Sequence, residues 1–587
     1  MNLKNEKRAT DGWFLKDGRS DYVLVLPEKA DEYERMAAEE FNELLKAAAG
    51  TELKIVSEGE GVPARAVLVG RCEKAKKMGA FIRETGAEGF SVRTEGETIA
   101  LAGEGRAAFF AADRFMAECF GYRYYAQNEF FIEKKKDVPF YEMNIVARPD
   151  IEGRSLGFYY TYHTEVPENQ KNTLRLGLSG NNYENWIAAG HTYFQILPKE
   201  IYFEKHPEWY SPDGCNLCLS DDAMAEEFIR NVKKLIEQKE GRYFMLGQED
   251  NFSFCDCERC RKAVEKYGSE SALMMRFANR VARETGEWLK KEHPGREVKF
   301  VTFAYNKTAK PPVRWDEKEK IYRPFDKEVL AAENLSVMVV PFGGIYNHDF
   351  FDEKYNAGVK TNFLGWHACC KDLSVWSYCV NFDNYMVEFN NYKTFAENYR
   401  IFVKLGVQYL FDQGPYTSPT PCFDELKIYM QSRLMWDSAQ SERKLYEEFM
   451  ENYYKDIAPH AKAYLGKMLA RWDEISLTYG EQTRPGAADS SYYNLKHFWP
   501  RDFLYECLDI FREARGVLEA LRVEDWDKYV VLRWRLNKMS LSVRFLLLNL
   551  YGNYYGSELP RKIEIFKNDM AACGIIKMNE GDFMELC

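Results

Sequence analysis

Residues 243–260 read YFMLGQEDNFSFCDCERC: an apolar run, Gly247, Gln248, the adjacent carboxylates Glu249 and Asp250, then Cys255, Cys257 and Cys260. The apolar run is the pattern of a short buried strand, and the glycine marks its end. Similar runs flank it along the chain: SLGFYY, TLRLGLSG, VKFVTFAY, LSVMVVPFGG, LSVWSYCV and VQYLFDQGPY. Each ends in a glycine, polar or aromatic cluster, and helical stretches such as SALMMRFANRVARETGEWLKKEHPG separate some of them. Buried strands alternating with helices predict a parallel sheet with crossover connections. The expected class is therefore α/β, with a central (β/α)8 TIM-like barrel over residues 146–420 whose active site lies at the strand C-terminal ends.

Residues 1–145 carry a different rhythm. YVLVLP, ELKIVSE and ARAVLVG are short strands, and GFSVRTEGETIALAGE reads as a hairpin. Two amphipathic helices close at Gly50 and Gly121. An N-terminal α+β domain with a small, mostly antiparallel sheet is expected. Residues 421–587 have helical periodicity from FDELKIYMQSRLMWD onward and predict a C-terminal helical domain. Three domains suit 587 residues.

Composition narrows the function. A net charge of -11 argues against a nucleic-acid surface, which needs clustered Lys and Arg. No stretch approaches the apolar length of a membrane span and the N-terminus lacks a signal-like apolar region, so a cytoplasmic location without membrane partners is expected. Aromatic residues make up 15% of the chain, a surplus suited to a cleft that stacks against sugar rings.

The strand ends supply candidates for chemistry. They are Arg154, the NNYENW segment with Trp186, His191 and His206, Gln248, Glu249, Asp250 and Asn251, Tyr305, His348, Trp366 with His367, Trp376 with Tyr378, and Asp412 with Gln413. Carboxylates among large rings suit glycoside hydrolysis, with Glu249, Asp250 and Asp412 as catalytic candidates and the others as sugar contacts. Neighbours on a regular strand face opposite sides, so Glu249 and Asp250 share a pocket only if the chain turns sharply after Gly247. Trp376 and Tyr378, two apart, share one face, either interior or helix-side. Cys255, Cys257 and Cys260, with Cys218 as fourth ligand or Cys215 as the alternative, have spacing suited to a structural zinc; the other reading is reduced thiols at a helix start. No cofactor is expected for catalysis.

Several stretches together resemble the domain-of-unknown-function family 4838: GEGRAAFFAADRFMAECFGYRYY, GHTYFQILP, HPEWYS, NLCLSDD, GQEDNFSFCDCERC, FAYNKTAKPP, VWSYCVNF, GVQYLFDQGPY and LMWDSAQSERKLYEEFMENYY. That family is similar to glycoside hydrolase family 163, endo-β-N-acetylglucosaminidases, and more distantly to family 20 hexosaminidases and α-glucuronidases. The resemblance implies a hexosaminidase-like N-terminal domain before the barrel. By similarity to family 20, Glu249 would orient a substrate acetamido group and Asp250 would donate the proton. Glu249 stands where the family often has an amide, and Asp412 where it has a glutamate. Members are often exported.

The expected function is a glycoside hydrolase on β-linked N-acetylhexosamine in an oligosaccharide or glycan, retaining and substrate-assisted. The alternatives are a uronic-acid-directed glycosidase, with Arg154 or Lys307 pairing the substrate carboxylate, and a non-catalytic carbohydrate-binding protein.

Overall fold

The structure is a computed structural model that describes residues 2–180, 185–480, 482–485 and 495–581. Residues 181–184 of the NNYENW segment and the C-terminal Cys587 lie outside the described residues.

The N-terminal unit is a seven-stranded sheet in the order Asn2–Leu15, Val138–Ala147, Phe90–Glu95, Thr98–Ala102, Ala66–Val69, Val23–Leu26, Ile55–Ser57. It is mixed and not mostly antiparallel. The last four strands run parallel, because helix Glu32–Ala49 and the segment through Glu73–Lys77 carry the chain across the sheet before the next strand starts. The expected hairpin is present as Phe90–Glu95 paired antiparallel with Thr98–Ala102. Phe41, Leu44, Phe109 and Phe115, from helices Glu32–Ala49 and Arg106–Phe120, are fully buried on one face. A smaller core of Val25, Ala66, Leu68 and Ala100 fills the other.

The central unit is a curled, seven-stranded parallel sheet. Its order is Gly153–Leu156, Val407–Gln413, Leu373–Tyr378, Leu335–Val339, Lys299–Ala304, Tyr243–Leu246, Trp186–Ala188. The curl brings side chains from distant strands together: the Trp186 ring lies 5.3 Å from Tyr243 and 5.8 Å from Tyr409. Segment 177–180 runs beside the first strand, where the Ser179 N–H donates to the Arg154 carbonyl at 2.8 Å and Ser179 Oγ accepts from the Arg154 N–H. Helices Asp222–Gln238, Ser271–Glu292, Ala357–Cys369 and Phe395–Lys404 connect successive strands.

Among the described residues, six α-helices from Asp424–Trp436 to Leu559–Ala572 form the C-terminal region, after which the chain returns to the C-terminal end of the sheet. Among the described residues no helix is long and apolar enough to cross a membrane.

Gly247 sets the geometry at the end of strand Tyr243–Leu246. A Cβ there would lie 2.2 Å from the Gly190 carbonyl oxygen and 2.9 Å from the Phe303 ring, so only glycine allows this approach. Gly247→Ala is therefore expected to lower stability by about 1–3 kcal/mol or more, since backbone blocks relief of the clash. The urea midpoint measures it, and a wild-type midpoint would refute the close approach.

Candidate active site

Thr192 clamps the end of the Tyr243–Leu246 strand. Its Oγ1 donates to the Met245 carbonyl at 2.7 Å and accepts from the Gly247 N–H at 3.0 Å. The Gly247 carbonyl in turn accepts from the Thr192 and Tyr193 N–H groups. Gln248 is buried; its amide donates to the Tyr305 carbonyl at 2.9 Å and accepts from Thr308 Oγ1 at 3.0 Å. The His191 Nδ1–H donates to the Gln248 carbonyl. These bonds give Gln248 and His191 the task of holding the turn.

The turn separates the two carboxylates. Glu249 is half-buried and accepts from the Phe194 N–H at 2.9 Å, at the start of the helical turn Tyr193–Ile196. Asp250 is exposed at the mouth and accepts from the Tyr305 phenol. Burial first and then the Asp250 charge push the Tyr305 hydroxyl well above its usual pKa. Asn251 fixes the next bend, accepting from the Ser253 N–H and the Asn216 amide and donating to the Cys215 carbonyl.

A further carboxylate arrives from the far end of the chain. Residues 576–580 lie across the mouth, with Ser418 Oγ accepting from the Ile576 and Lys577 N–H groups and the Met578 carbonyl accepting from the Tyr385 N–H. The Glu580 N–H donates to the Phe382 carbonyl at 2.8 Å, and the Glu580 carboxyl accepts from the Tyr416 phenol at 3.1 Å. The carboxyl is held above the usual range, first by burial and then by the Asp250 and Asp383 charges, against the opposing pull of Tyr416 and Lys577. Half-buried rings of Tyr162, Tyr305, Phe342, Phe382 and Tyr416 surround this place. Nothing in the local sequence around Glu580 marks it; only the return of the chain to the mouth does.

The other candidates divide by the face of the sheet. Trp376 and Gln413 point into the curl, where the indole N–H donates to the Gln413 amide oxygen at 2.8 Å, and Tyr378 packs nearby on Phe342 and Phe382. Trp186 lies in the same interior but at the opposite end of its strand from the mouth. Arg154 is a correction. It is fully buried at the base, donating to the Ile151, Glu152 and Gly177 carbonyls and pairing with Glu88 of the N-terminal unit at 3.3 Å. Trp366 is a second. It lies in helix Ala357–Cys369, which also carries His367, and is fully buried with its indole N–H on the Ala309 carbonyl. His206 stacks on Trp209 at 3.9 Å, His348 stacks on Tyr355 at 3.8 Å, and Lys307 points at Glu270. A cavity of about 510 Å³ lies between the N-terminal unit and the base of the sheet, lined by Asp113, Arg175, Arg433 and Trp436, away from the mouth.

Residues 124–466 match the family model described as Domain of unknown function (DUF4838), more than half of the chain. No curated protein matches. Among solved structures the chain is similar to CpGH84B, at 14% identity with 97% of this chain and 95% of that chain covered and a TM-score of 0.41. It is also similar to a family 89 glycoside hydrolase from Clostridium perfringens in complex with 2-acetamido-1,2-dideoxynojirmycin, at 10% identity, 92% and 65% coverage and a TM-score of 0.46. A variant of the Clostridium perfringens protein CpGH89, in complex with its substrate GlcNAc-alpha-1,4-galactose, is similar at 10% identity, 91% and 64% coverage and a TM-score of 0.44.

Asp412 is a third correction, because the pleat turns it away from the mouth. Its strand neighbours Phe411 and Gln413 meet Trp376 in the interior, so Asp412 faces the outer helices. There it is 2% exposed and accepts from the Tyr399 hydroxyl and the Gln431 amide, each at 2.7 Å, while Oδ1 has no partner. Burial raises its pKa from 3.8 to about 6. A carboxyl whose folded pKa exceeds its unfolded value is ionised at a cost in the fold, so its contribution falls as pH rises from about 4 to about 6. The stability of wild type minus that of Asp412→Asn should therefore drop by roughly 3 kcal/mol across that window and stay level above it. Urea unfolding at pH 4.5 and pH 8 tests this; equal differences at both would refute the buried, titrating carboxyl.

Proposed function

The chain belongs to the family of the Domain of unknown function (DUF4838), and we propose that it is a glycoside hydrolase acting on β-linked N-acetylhexosamine in an oligosaccharide. The observation that carries the reading is the placement of Asp250 and Glu580 at the C-terminal mouth of the parallel sheet, each hydrogen-bonded to a tyrosine, with the Asp250 charge acting on Glu580 among half-buried aromatics. A carboxyl pushed above its usual range by burial, beside one that is solvent-facing, suits the division of labour that glycoside cleavage uses. The N-acetylhexosamine part of the proposal rests on the motif resemblance. On the same reading, segment 177–180 is the eighth strand of a closed barrel, supported by its two bonds to Arg154.

In this mechanism Glu580 donates its proton to the glycosidic oxygen while the substrate acetamido oxygen attacks C1 and the C1–O bond breaks. Asp250, steadied by the Tyr305 phenol, accepts a hydrogen bond from the acetamido N–H and stabilises the positive oxazolinium ion. Water then attacks C1 as the oxazolinium C1–O bond breaks, its proton passing to Glu580, which restores the site and the acetamido group with retention of configuration. Glu249, engaged on the Phe194 N–H, positions the turn and takes no proton. The uronic-acid reading loses both of its candidate cations, since Arg154 is buried at the base and Lys307 points at Glu270.

Asp250→Asn and Glu580→Gln should each lower kcat on an aryl N-acetyl-β-hexosaminide by about 10²–10⁴-fold, with unfolding midpoints near wild type. A thiazoline mimic of the oxazolinium ion should inhibit wild type competitively. Unchanged turnover in both variants would refute the site. Turnover confined to aryl glucuronides would favour the uronic-acid reading, and sugar binding without turnover the non-catalytic one.

A further inference from the structure

Beside the mouth lies a second site that the glycosidase reading does not use. The Sγ atoms of Cys218, Cys255, Cys257 and Cys260 all lie within 4.8 Å of one another. Cys218 Sγ is 3.8 Å from Cys257 Sγ and 3.9 Å from Cys260 Sγ, and all four are free thiols. A disulfide would need sulfurs about 2 Å apart. Four thiolates on one tetrahedral ion, each about 2.3 Å from it, sit about 3.8 Å from one another, as the tetrahedral angle requires. We propose that these four cysteines bind one zinc ion as a closed, structural site.

The surroundings suit thiolate ligands. Cys257 is the N-cap of helix Glu258–Tyr267 and Cys260 lies in its first turn, where the helix dipole favours negative charge. The Ser220 hydroxyl lies 3.0 Å from Cys260 Sγ and within 3.6 Å of Cys218 and Cys257, a donor aimed at the sulfurs. The geometry also chooses the fourth ligand. Cys218 is 1% exposed, its N–H held by the Trp209 carbonyl, whereas Cys215 is exposed and outside the cluster. Four sulfurs leave no position open to substrate or water, so the ion holds structure and does no chemistry.

What it holds is the support of Asp250. The apolar residues around the thiols form a small satellite core, with Leu273 the one buried side chain beside Cys218 and Cys260. That is too little apolar surface to fix two long loops. The ion ties the 211–221 loop to the segment following Asp250, and the Asn216–Asn251 and Asn251–Cys215 bonds carry that tie to the residue beside the acid. An all-sulfur tetrahedron also accepts iron, so the identity of the metal is part of the claim.

The test is elemental analysis of the full-length protein purified without chelator. One zinc per chain is expected for wild type and for Cys215→Ser, with near-complete loss in Cys218→Ser and Cys260→Ser. Should those variants fail to fold, wild type reloaded with cobalt decides: thiolate-to-cobalt charge transfer with tetrahedral bands is expected, and octahedral bands would overturn the site. Metal-free wild type with these thiols open to a thiol reagent, iron in place of zinc, or zinc lost with Cys215 and kept without Cys218 would each overturn the proposal. None of these readings depends on glycosidase activity.

Discussion

The mouth of this protein depends on one close approach, that of Gly247 to the Gly190 carbonyl. The contact lets the chain leave its strand without a side chain in the way, and Thr192 locks the turn with bonds on both sides of it. From there the pleat no longer dictates direction. Gln248 goes inward to Tyr305 and Thr308, Glu249 to the Phe194 N–H, and Asp250 out to the mouth. Two adjacent acids thus acquire different tasks from backbone geometry alone. Glu249 is an anion at a helical turn; Asp250 is an anion facing solvent and a phenol.

Much of the framework was legible in the chain. Buried strands are short and apolar, so five of the seven parallel strands lie within the runs quoted for them and Gly153–Leu156 overlaps SLGFYY at its last two residues, whereas TLRLGLSG spans the end of helix Pro167–Arg175 and the turn after it. The sulfur cluster was legible for a different reason: its ligands are close in sequence, and the one distant member, Cys218, precedes a helix that returns it to the group. Direction across the sheet was harder to read. An aspartate ending an apolar run can face either the interior or the outer helices, and one position of phase decides. Asp412 fell on the outer side, where Tyr399 and Gln431 receive it. Arg154 misled for a related reason. A charge beside a strand reads as functional, yet here it seals the joint between units, bonded to three carbonyls, paired with Glu88 and lying over Trp436 at 5.0 Å.

Glu580 was not legible at all. No periodicity or spacing relates it to Asp250, because the relation is made by the chain returning to the sheet after the C-terminal helices. Its position is fixed by the burial of Ile575 and Met578 in the core and by polar contacts: Ser418, the Tyr385 N–H and the Phe382 carbonyl hold the backbone, and Tyr416 holds the carboxyl. Such ties are directional, and each is worth about 1 kcal/mol, so they set orientation more than they contribute to overall stability.

The two acids therefore reach the mouth on arms anchored behind them, Asp250 on the Gly247 turn and Glu580 beside the buried Met578, while neither acid is itself fully buried. That arrangement has a consequence for charge. A carboxyl half-buried beside apolar rings bears a higher cost of ionisation than one in water. Burial acts first at Glu580 and the Asp250 charge adds to it, while Asp250 remains exposed to water. The asymmetry between acid and base is thus not written in the residue types, which are both carboxylates. It comes from which arm lies across the rings and which lies toward solvent, so any contact that holds Glu580 at its depth also holds its carboxyl above the usual range.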